Sequence, residues 1–483
     1  MPSVSVVAPP TAPRADAVVV GIRSTPDGYR LIDGAEPIDA ALGGRLHDAL
    51  RALGASGRSD EVLKIPTLGL ADFPLVVGTG FGSDDESPEA ARRAAGAALR
   101  ALTGQRRVHL AIERFPAALA EGALLGAYAY TSYKSKPAKQ VLRSVSISAP
   151  TAARAEVRRA AVVAEAVNIT RDLVNTPPND LYPQTFAARA AELAGERGLS
   201  VEVLDERALR RGKYGGILGV GSGSARPPRL VRISYRPAKA RAHLALVGKG
   251  ITYDSGGLNL KTAGLTYMKS DMGGAAAVIA AALAIASLKM PVAVTATVPM
   301  AENMPSGTSY RPSDVLRMYN GSTVEVTDTD AEGRLILADA IARAAQDDPD
   351  RLIEISTLTG GQTVALGPRI MGAMGEPGWR DAVVAAAEDA GEGIWAMPLT
   401  DDLRGKLDSP VADIANLPGD RFASMIVAGR FLGEFVPDGL PWAHLDIAGP
   451  SFNNGGPRDY TPKGATGAGV RTIIAAAQRL AAG

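Results

Sequence analysis

Short apolar runs separated by alanine-rich stretches of helical period recur along the whole chain of 483 residues. That alternation points to α/β domains of sheets layered with helices, and the lack of a visible repeat of about 20 to 50 residues argues against a solenoid. In the first third, Ala17–Ile22, Phe73–Gly78 and Val108–Ile112 read as buried strands, and VLRSVSI (141–147) as a further one. Ala40–Leu53 and Ser87–Leu102 read as helices, with Ser87 suited to the N-cap and Pro88 to the first turn. The first fifteen or so residues read as a loose tail, and Lys134–Lys139 as a polar loop. Ala152–Leu173 is a long helix that the two prolines of NTPPND (175–180) stop. The alternation then resumes. LVRISY (230–235), HLALVGKG (243–250), VAVTATVPMA (292–301), Leu352–Ser356 and Trp442–Ile447 are strands, and Gly273–Leu288 is a helix. The length exceeds one hydrophobic core. We expect two α/β domains: residues 1–150, then 151–483, with 151–175 as the connecting helix.

Composition narrows the chemistry. The chain has no cysteine, so disulfides, thiolate ligands and a cysteine nucleophile are excluded. Its four histidines (His47, His109, His243, His444) form no short pair of the kind a histidine zinc site uses, and no Gly-x-Ser-x-Gly elbow is present. Structural roles are expected for all four. A formal net charge of +1 gives no bulk attraction to nucleic acid or to an anionic membrane. No uninterrupted apolar run of spanning length and no secretory leader is read from the sequence, so neither membrane nor export is expected. The glycine-rich VGTGFG (77–82) and GVGSGS (219–224) fit no phosphate-binding spacing and are read as turns.

Four acidic residues stand apart. Asp254 follows the strand HLALVGKG, Asp271 immediately precedes an alanine-rich helix, and Asp330 and Glu332 share TDTDAEGRL. Strand ends of α/β sheets are where sites form. Read as extended chain, Asp330 and Glu332 point to the same side. Four converging carboxylates repel one another and raise one another's pKa values, and two dications would balance them. Oxygen donors of this type suit Mn²⁺, Mg²⁺ or Zn²⁺. Lys249 and Lys261 flank the region; near a dication a lysine either ligates as the amine or stays charged as an electrophile. Two other readings share these features. A two-metal phosphoesterase would need more cations for phosphate, and a nucleic-acid-binding scaffold would need a basic patch denser than RALRRGK (207–213).

VGKGITYDSGG (247–257), MKSDMGGAAAV (268–278), TDTDAEGRLILADA (327–340) and STLTG (356–360) closely resemble the leucine aminopeptidases, also called cytosol aminopeptidases. NTPPND, HLDIAG (444–449) and KGATG (463–467) are similar too. The resemblance covers residues 150 to 483; the N-terminal third carries no specific motif. It implies a smaller N-terminal α/β domain and a larger catalytic one with a central mixed sheet flanked by helices. It implies removal of N-terminal residues from peptides by a water activated between two metals, Mn²⁺ or Zn²⁺, with Lys249, Asp254, Asp271, Asp330 and Glu332 as ligands and Asp254 and Glu332 bridging. Lys261 matches the lysine that polarises the scissile carbonyl, and Arg334 the arginine that holds a bicarbonate base. Met268, Thr357, Leu358 and Gly360 match substrate-lining positions. A cytoplasmic homo-hexamer acting on peptides with a free N-terminus is the implied form, and RFASMIVAGRFLGEF (421–435) reads as a partly buried helix. Two departures stand out. Asp328, on the substrate side, replaces the family's usual Asn and is expected to add a fifth negative charge near the metals rather than only cap a turn, and the loop from Lys261 to Asp271 is one residue short.

Overall fold

The structure, a computed structural model, describes residues 1–9, 14–83, 87–136 and 142–482; part of the Lys134–Lys139 loop falls outside them. The chain forms two compact units, Met1–Asn168 with Asn453–Lys463, and Ile169–Phe452 with Gly464–Gly483.

In the first unit the strands are β1 (Ser3–Val7), β2 (Ala17–Thr25), β3 (Gly28–Leu31), β4 (Val62–Pro66), β5 (Leu75–Gly80), β6 (Arg107–Ala111) and β7 (Ser144–Ser148). Among the described residues they form one sheet in the order β1-β7-β6-β2-β5-β4, with β3 paired to β2. The helices are α1 (Glu36–Ala41), α2 (Leu46–Ala52), α3 (Pro88–Ala101) and α4 (Pro116–Gly126). Side chains alternate along β2, and both faces are apolar, as a mostly parallel sheet requires. Val19 packs with the alanines of α3 and with α4, while Val18 and Val20 pack with Ile38, Leu46 and Leu50 of α1 and α2. Ser87 caps α3, its side chain accepting from Ala90 N at 3.0 Å.

Two expectations fail here for the same reason. The supposed N-terminal tail contains β1, which pairs in parallel with β7 from Ser3↔Ser144 to Val7↔Ser148. The supposed turn VGTGFG is largely the buried strand β5. Ladder partners far along the chain override local composition. Likewise, Gly219–Gly221 of GVGSGS lies inside a helix of the second unit.

The long connecting segment is α5 (Arg154–Asn175). The second unit continues with α6 (Pro183–Gly195), β8 (Ser200–Leu204), α7 (Glu206–Gly212), α8 (Gly215–Gly221), β9 (Arg229–Tyr235), β10 (His243–Gly248), β11 (Gly250–Asp254), α9 (Gly273–Ser287) and β12 (Ala293–Asn303). Then come β13 (Val315–Arg317), β14 (Thr323–Glu325), α10 (Gly333–Ala345), β15 (Arg351–Ser356), α11 (Gly360–Leu366), β16 (Met371–Gly375), α12 (Pro377–Ala390), β17 (Ile394–Ala396), β18 (Ile414–Ala415), α13 (Ser424–Gly433), β19 (Trp442–Asp446) and α14 (Val470–Ala482). The main sheet runs β17-β16-β19-β15-β10-β12-β9-β8, with β11 on β12. Its centre, β19-β15-β10-β12, is parallel, and β9 and β16 enter antiparallel, so the sheet is mixed.

Ala245 and Val247 of β10 share one apolar cluster with Leu335, Ile336, Leu337 and Ile341 of α10. Helix α9 packs on β10, β12 and β15 outside that cluster and so takes the opposite face, with α14 against it. Leu265–Ser287 passes the length and hydropathy test for a membrane span, which a count of uninterrupted apolar residues does not register, but 83% of its apolar window is buried inside the protein. Core position explains that apolarity. Both α9 and α10 begin at the C-terminal ends of the parallel strands. Gly274 allows α9 to start there, since a Cβ at this residue would lie 2.0 Å from Ile355 O.

Candidate metal centre

The parallel strand ends and the starts of α9 and α10 bring the sequence-selected residues together. Lys249 directly follows β10, Asp254 ends β11, Asp271 ends the 3-10 turn Leu265–Ser270, and Glu332 is the N-cap residue of α10. Lys249 Nζ lies 2.8 Å from Asp271 Oδ1, 2.9 Å from Glu332 Oε1 and 2.9 Å from Thr357 O. Gly333 leaves room for this side chain, because a Cβ there would lie 2.4 Å from Lys249 Cε. Lys261 Nζ lies 2.8 Å from Asp254 Oδ2 and 2.5 Å from Asp330 Oδ1. One carboxylate oxygen from each of Asp254, Asp330 and Glu332 falls within 4.8 Å of the others. Asp271 joins them through the shared lysine and accepts from Thr357 Oγ1 at 2.8 Å.

Asp330 and Glu332 do not converge by alternation along an extended strand. Asp330 sits in a turn, and Glu332 has helical backbone angles of φ −77° and ψ −35°. The turn brings the two carboxylates together. Asp328 builds it: its Oδ1 accepts from Asp330 N at 2.8 Å. Its side chain is thus engaged with the backbone of the loop, a cap that Asp and Asn make equally well.

The electrostatics show a surplus of buried negative charge. Burial, then Asp254 and Glu332, push the Asp330 carboxyl up to about 7 against the pull of Lys261. Burial also raises Asp271 well above the usual carboxylate range, with Lys249 opposing and Glu332 and Asp254 adding. Burial disfavours the charge on Lys249 and Lys261, yet the surrounding carboxylates outweigh it and hold both above the ordinary lysine value. Asp271 Oδ2 and Glu332 Oε2 are buried with no hydrogen-bond partner among the described residues. Buried carboxylate oxygens without donors are what a cation site leaves for the cation. The donor set therefore fits divalent metal.

Arg334, the second residue of α10, is buried. Its Nη1 donates to Asn416 O at 2.7 Å, it stands 5.9 Å from the Phe431 ring centre, and its Nε has no partner among the described residues. Burial brings its pKa down to about 10, with Glu332 and Asp446 acting in the other direction. Thr357 is buried, and Leu358 N donates to Asp446 Oδ1 at 3.2 Å. Thr359 caps α11, whose first residue is the exposed Gly360. Met268 lies half-buried in the turn before Asp271.

Sequence reasoning missed four residues that shape the site. Asn303 Nδ2 donates to Asp254 Oδ1 at 2.9 Å and to Thr329 O at 3.0 Å. Tyr310 Oη donates to Thr329 O at 2.7 Å. Asp446 accepts from Thr359 Oγ1 at 2.7 Å, and Asn416 reaches the loop before α10. Only Asp446 carried a sequence signal, as part of HLDIAG. His444 of that motif is fully buried and paired with Glu354 of the neighbouring strand, and His109 lies between Ser146 and Ser148.

Carboxylates and ammonium groups gathered at the strand ends of the mixed sheet in the second unit form a candidate metal centre of the kind metal-dependent enzymes use. The comparisons with known proteins make that class specific. Residues 168–474 match the catalytic domain of the cytosol aminopeptidase family and residues 19–137 its N-terminal domain. A probable cytosol aminopeptidase of Streptomyces coelicolor is 52% identical, and one of Rhodococcus erythropolis 48%; the alignments cover 97% of both chains in the first case, and 99% of this chain and 97% of the relative in the second. Among solved structures, a mutant of tomato leucine aminopeptidase superposes with TM-score 0.87 at 32% identity over 99% of this chain and 97% of that one. The bottromycin maturation enzyme BotP in complex with Mn gives 0.87 at 37% identity, over 97% and 100%. The chain belongs to the cytosol aminopeptidase family. It is an aminopeptidase, hydrolysing the first peptide bond of its substrates.

Proposed function

We propose that Lys249, Asp254, Asp271, Asp330 and Glu332 would hold two divalent ions, Mn²⁺ or Zn²⁺. The observation that carries this is the pair of buried oxygens with no donor among the described residues, Asp271 Oδ2 and Glu332 Oε2, the second on a carboxylate that lies within 4.8 Å of those of Asp254 and Asp330. Such ions, when bound, supply a water nucleophile at neutral pH and polarise a carbonyl. Lys249 would act as a neutral amine ligand, giving up the proton that its carboxylate neighbours now retain.

The chain's own groups do the rest. Lys261 keeps its proton, and its ammonium is held in place by Asp254 and Asp330. It is therefore oriented before the reaction and donates to the oxygen on which negative charge develops. Arg334 is a buried cation whose Nε has no partner among the described residues, suited to hold an anion such as bicarbonate that would serve as the base. Met268, Asp328, Thr357, Leu358 and Gly360 would contact substrate in this reading, which the place of Met268 in the turn before Asp271 and the hydrogen bonds from Leu358 and Thr359 to Asp446 support. The neutral amine of a free N-terminus would suit such a metal centre, which would account for the preference for exopeptidase cleavage.

We take residues 1–150 as the N-terminal domain and 151–483 as the catalytic one, with 151–175 connecting them, and the active form as a cytoplasmic homo-hexamer. The test of the site is substitution. Glu332→Gln and Asp330→Asn should abolish hydrolysis of a leucine anilide and weaken Mn²⁺ binding by at least tenfold. Wild-type metal affinity in both variants would overturn the ligand assignment.

A further inference from the structure

Asn416 directly follows β18, which pairs in parallel with β14 through Val324↔Ile414 and Glu325↔Ala415. Its N–H extends that ladder by donating to Glu325 O at 2.9 Å. The ladder thus delivers a fully buried amide side chain to a segment about ninety residues earlier in the chain. Asn416 Oδ1 accepts from Thr327 N at 2.8 Å, from Thr327 Oγ1 at 3.0 Å and from Asp328 N at 3.4 Å. Its Nδ2 donates to Asp328 O at 2.7 Å and to Ala331 O at 3.4 Å. Its own carbonyl accepts from Arg334 Nη1 at 2.7 Å.

We propose that Asn416 is a positioning residue for the reaction. It clamps the turn that aims Asp330 and Glu332 and sets the direction of the Arg334 guanidinium. The chemistry requires an amide. One planar group has to accept from backbone N–H groups on one side and donate to carbonyl oxygens on the other, which Asn does and neither Asp nor Leu can. Asn303 secures the same loop from its other side, at Thr329 O. Asn416 in addition ties the loop to Arg334, so a single side chain and its carbonyl register the acidic ligands against the buried cation. Partners of this kind orient ligands without touching metal or substrate.

This inference rests on the reading that Asp330 and Glu332 are metal ligands, and its test separates the two. Full-length Asn416→Ala and Asn416→Asp would be stripped of metal and titrated with Mn²⁺ by calorimetry, beside Glu332→Gln. Asn416→Asp keeps the size of the side chain and its accepting oxygen but loses both amide donations, so it remains informative if the alanine variant does not fold. Both variants are expected to bind Mn²⁺ roughly 10- to 100-fold more weakly. After metal saturation, kcat on a leucine anilide should stay at least about tenfold down, with KM within about threefold, because the turn that the Asn416 side chain holds at Asp328 and Ala331, and with it the start of α10, remains displaced. Circular dichroism would show the fold retained at the assay temperature. A folded variant with parental Mn²⁺ affinity and kcat but a lower Tm would make Asn416 a stability residue only and refute the proposal. Parental Mn²⁺ affinity in Glu332→Gln would instead sink the metal reading, and this inference with it.

Discussion

Lys261→Ala removes one ammonium from between two carboxylates. Lys261 Nζ touches Asp254 Oδ2 at 2.8 Å and Asp330 Oδ1 at 2.5 Å, and its side chain is about four-fifths covered. Two consequences differ in size and in metal dependence. If Lys261 stabilises the developing oxyanion, its loss costs about 3–4 kcal/mol of transition-state binding, roughly 10²–10³ in kcat. That loss should persist in metal-saturated enzyme and leave KM within about threefold, since the contact strengthens as charge builds. The second consequence falls on the metal-free protein. Asp254 is almost fully buried, so it loses its cation in a low-dielectric place, a change that typically costs about 3–5 kcal/mol. Asp330 is one-third exposed and adds less because water screens it. The metal-free variant should therefore unfold at lower temperature than metal-free parent, while metal narrows the gap. Steady-state kinetics on a leucine anilide and thermal unfolding with and without Mn²⁺ read both effects. A kcat within about threefold of the parent at saturating metal would show that Lys261 is not the electrophile.

Two further outcomes follow from the geometry. Asp328→Asn should leave Mn²⁺ affinity, kcat/KM and the pH–rate profile within about twofold, because an Asn oxygen accepts from Asp330 N as the carboxylate does; a displaced pH profile would show that the charge, not the cap, matters. Asp339 is buried in α10, accepts from Ile217 N and Tyr319 N at 2.9 and 2.8 Å, and is pushed by burial up to about 7 from an ordinary 3.8. A raised carboxyl pKa favours the protonated folded state, so its contribution is complete below about pH 4 and is lost as pH rises through 7. Asp339→Asn should flatten the fall in Tm between pH 5 and pH 8, and an unchanged slope in the variant would assign that fall to other groups.

The candidate ligand residues were legible in the sequence because they cluster in short segments at strand ends, where chemistry restricts residue type. Asp254, Asp271, Asp330 and Glu332 could each be selected from the chain, and so could Lys249 and Lys261. How they converge was less legible. Alternation along an extended strand suggested the right pairing of Asp330 with Glu332 for the wrong reason, since a turn capped by Asp328 and the start of α10 produce it. Asn416 was invisible because its role exists only once β18 is paired with β14. The same dependence on distant partners hid β1 and turned VGTGFG into a buried strand. Glycine there serves the ladder's tight packing: a Cβ at Gly80 would lie 1.8 Å from Arg58 O. The α/β alternation survived all of this, because burial on both sheet faces imposes a continuous apolar pattern whatever the register.

If this carboxylate and lysine cluster holds two divalent ions, metal stoichiometry reads them out. Full-length protein stripped by chelator and titrated with Mn²⁺ or Zn²⁺ in a calorimeter should take up two ions per chain. Proton release should accompany uptake as Lys249 gives up its proton and as Asp330, whose carboxyl is pushed up to about 7, is held in its charged form. Leucine anilide hydrolysis, absent from the stripped protein, should return as the sites fill. Full activity in verified metal-free protein, or saturation at fewer than two ions with activity restored, would contradict the two-ion reading.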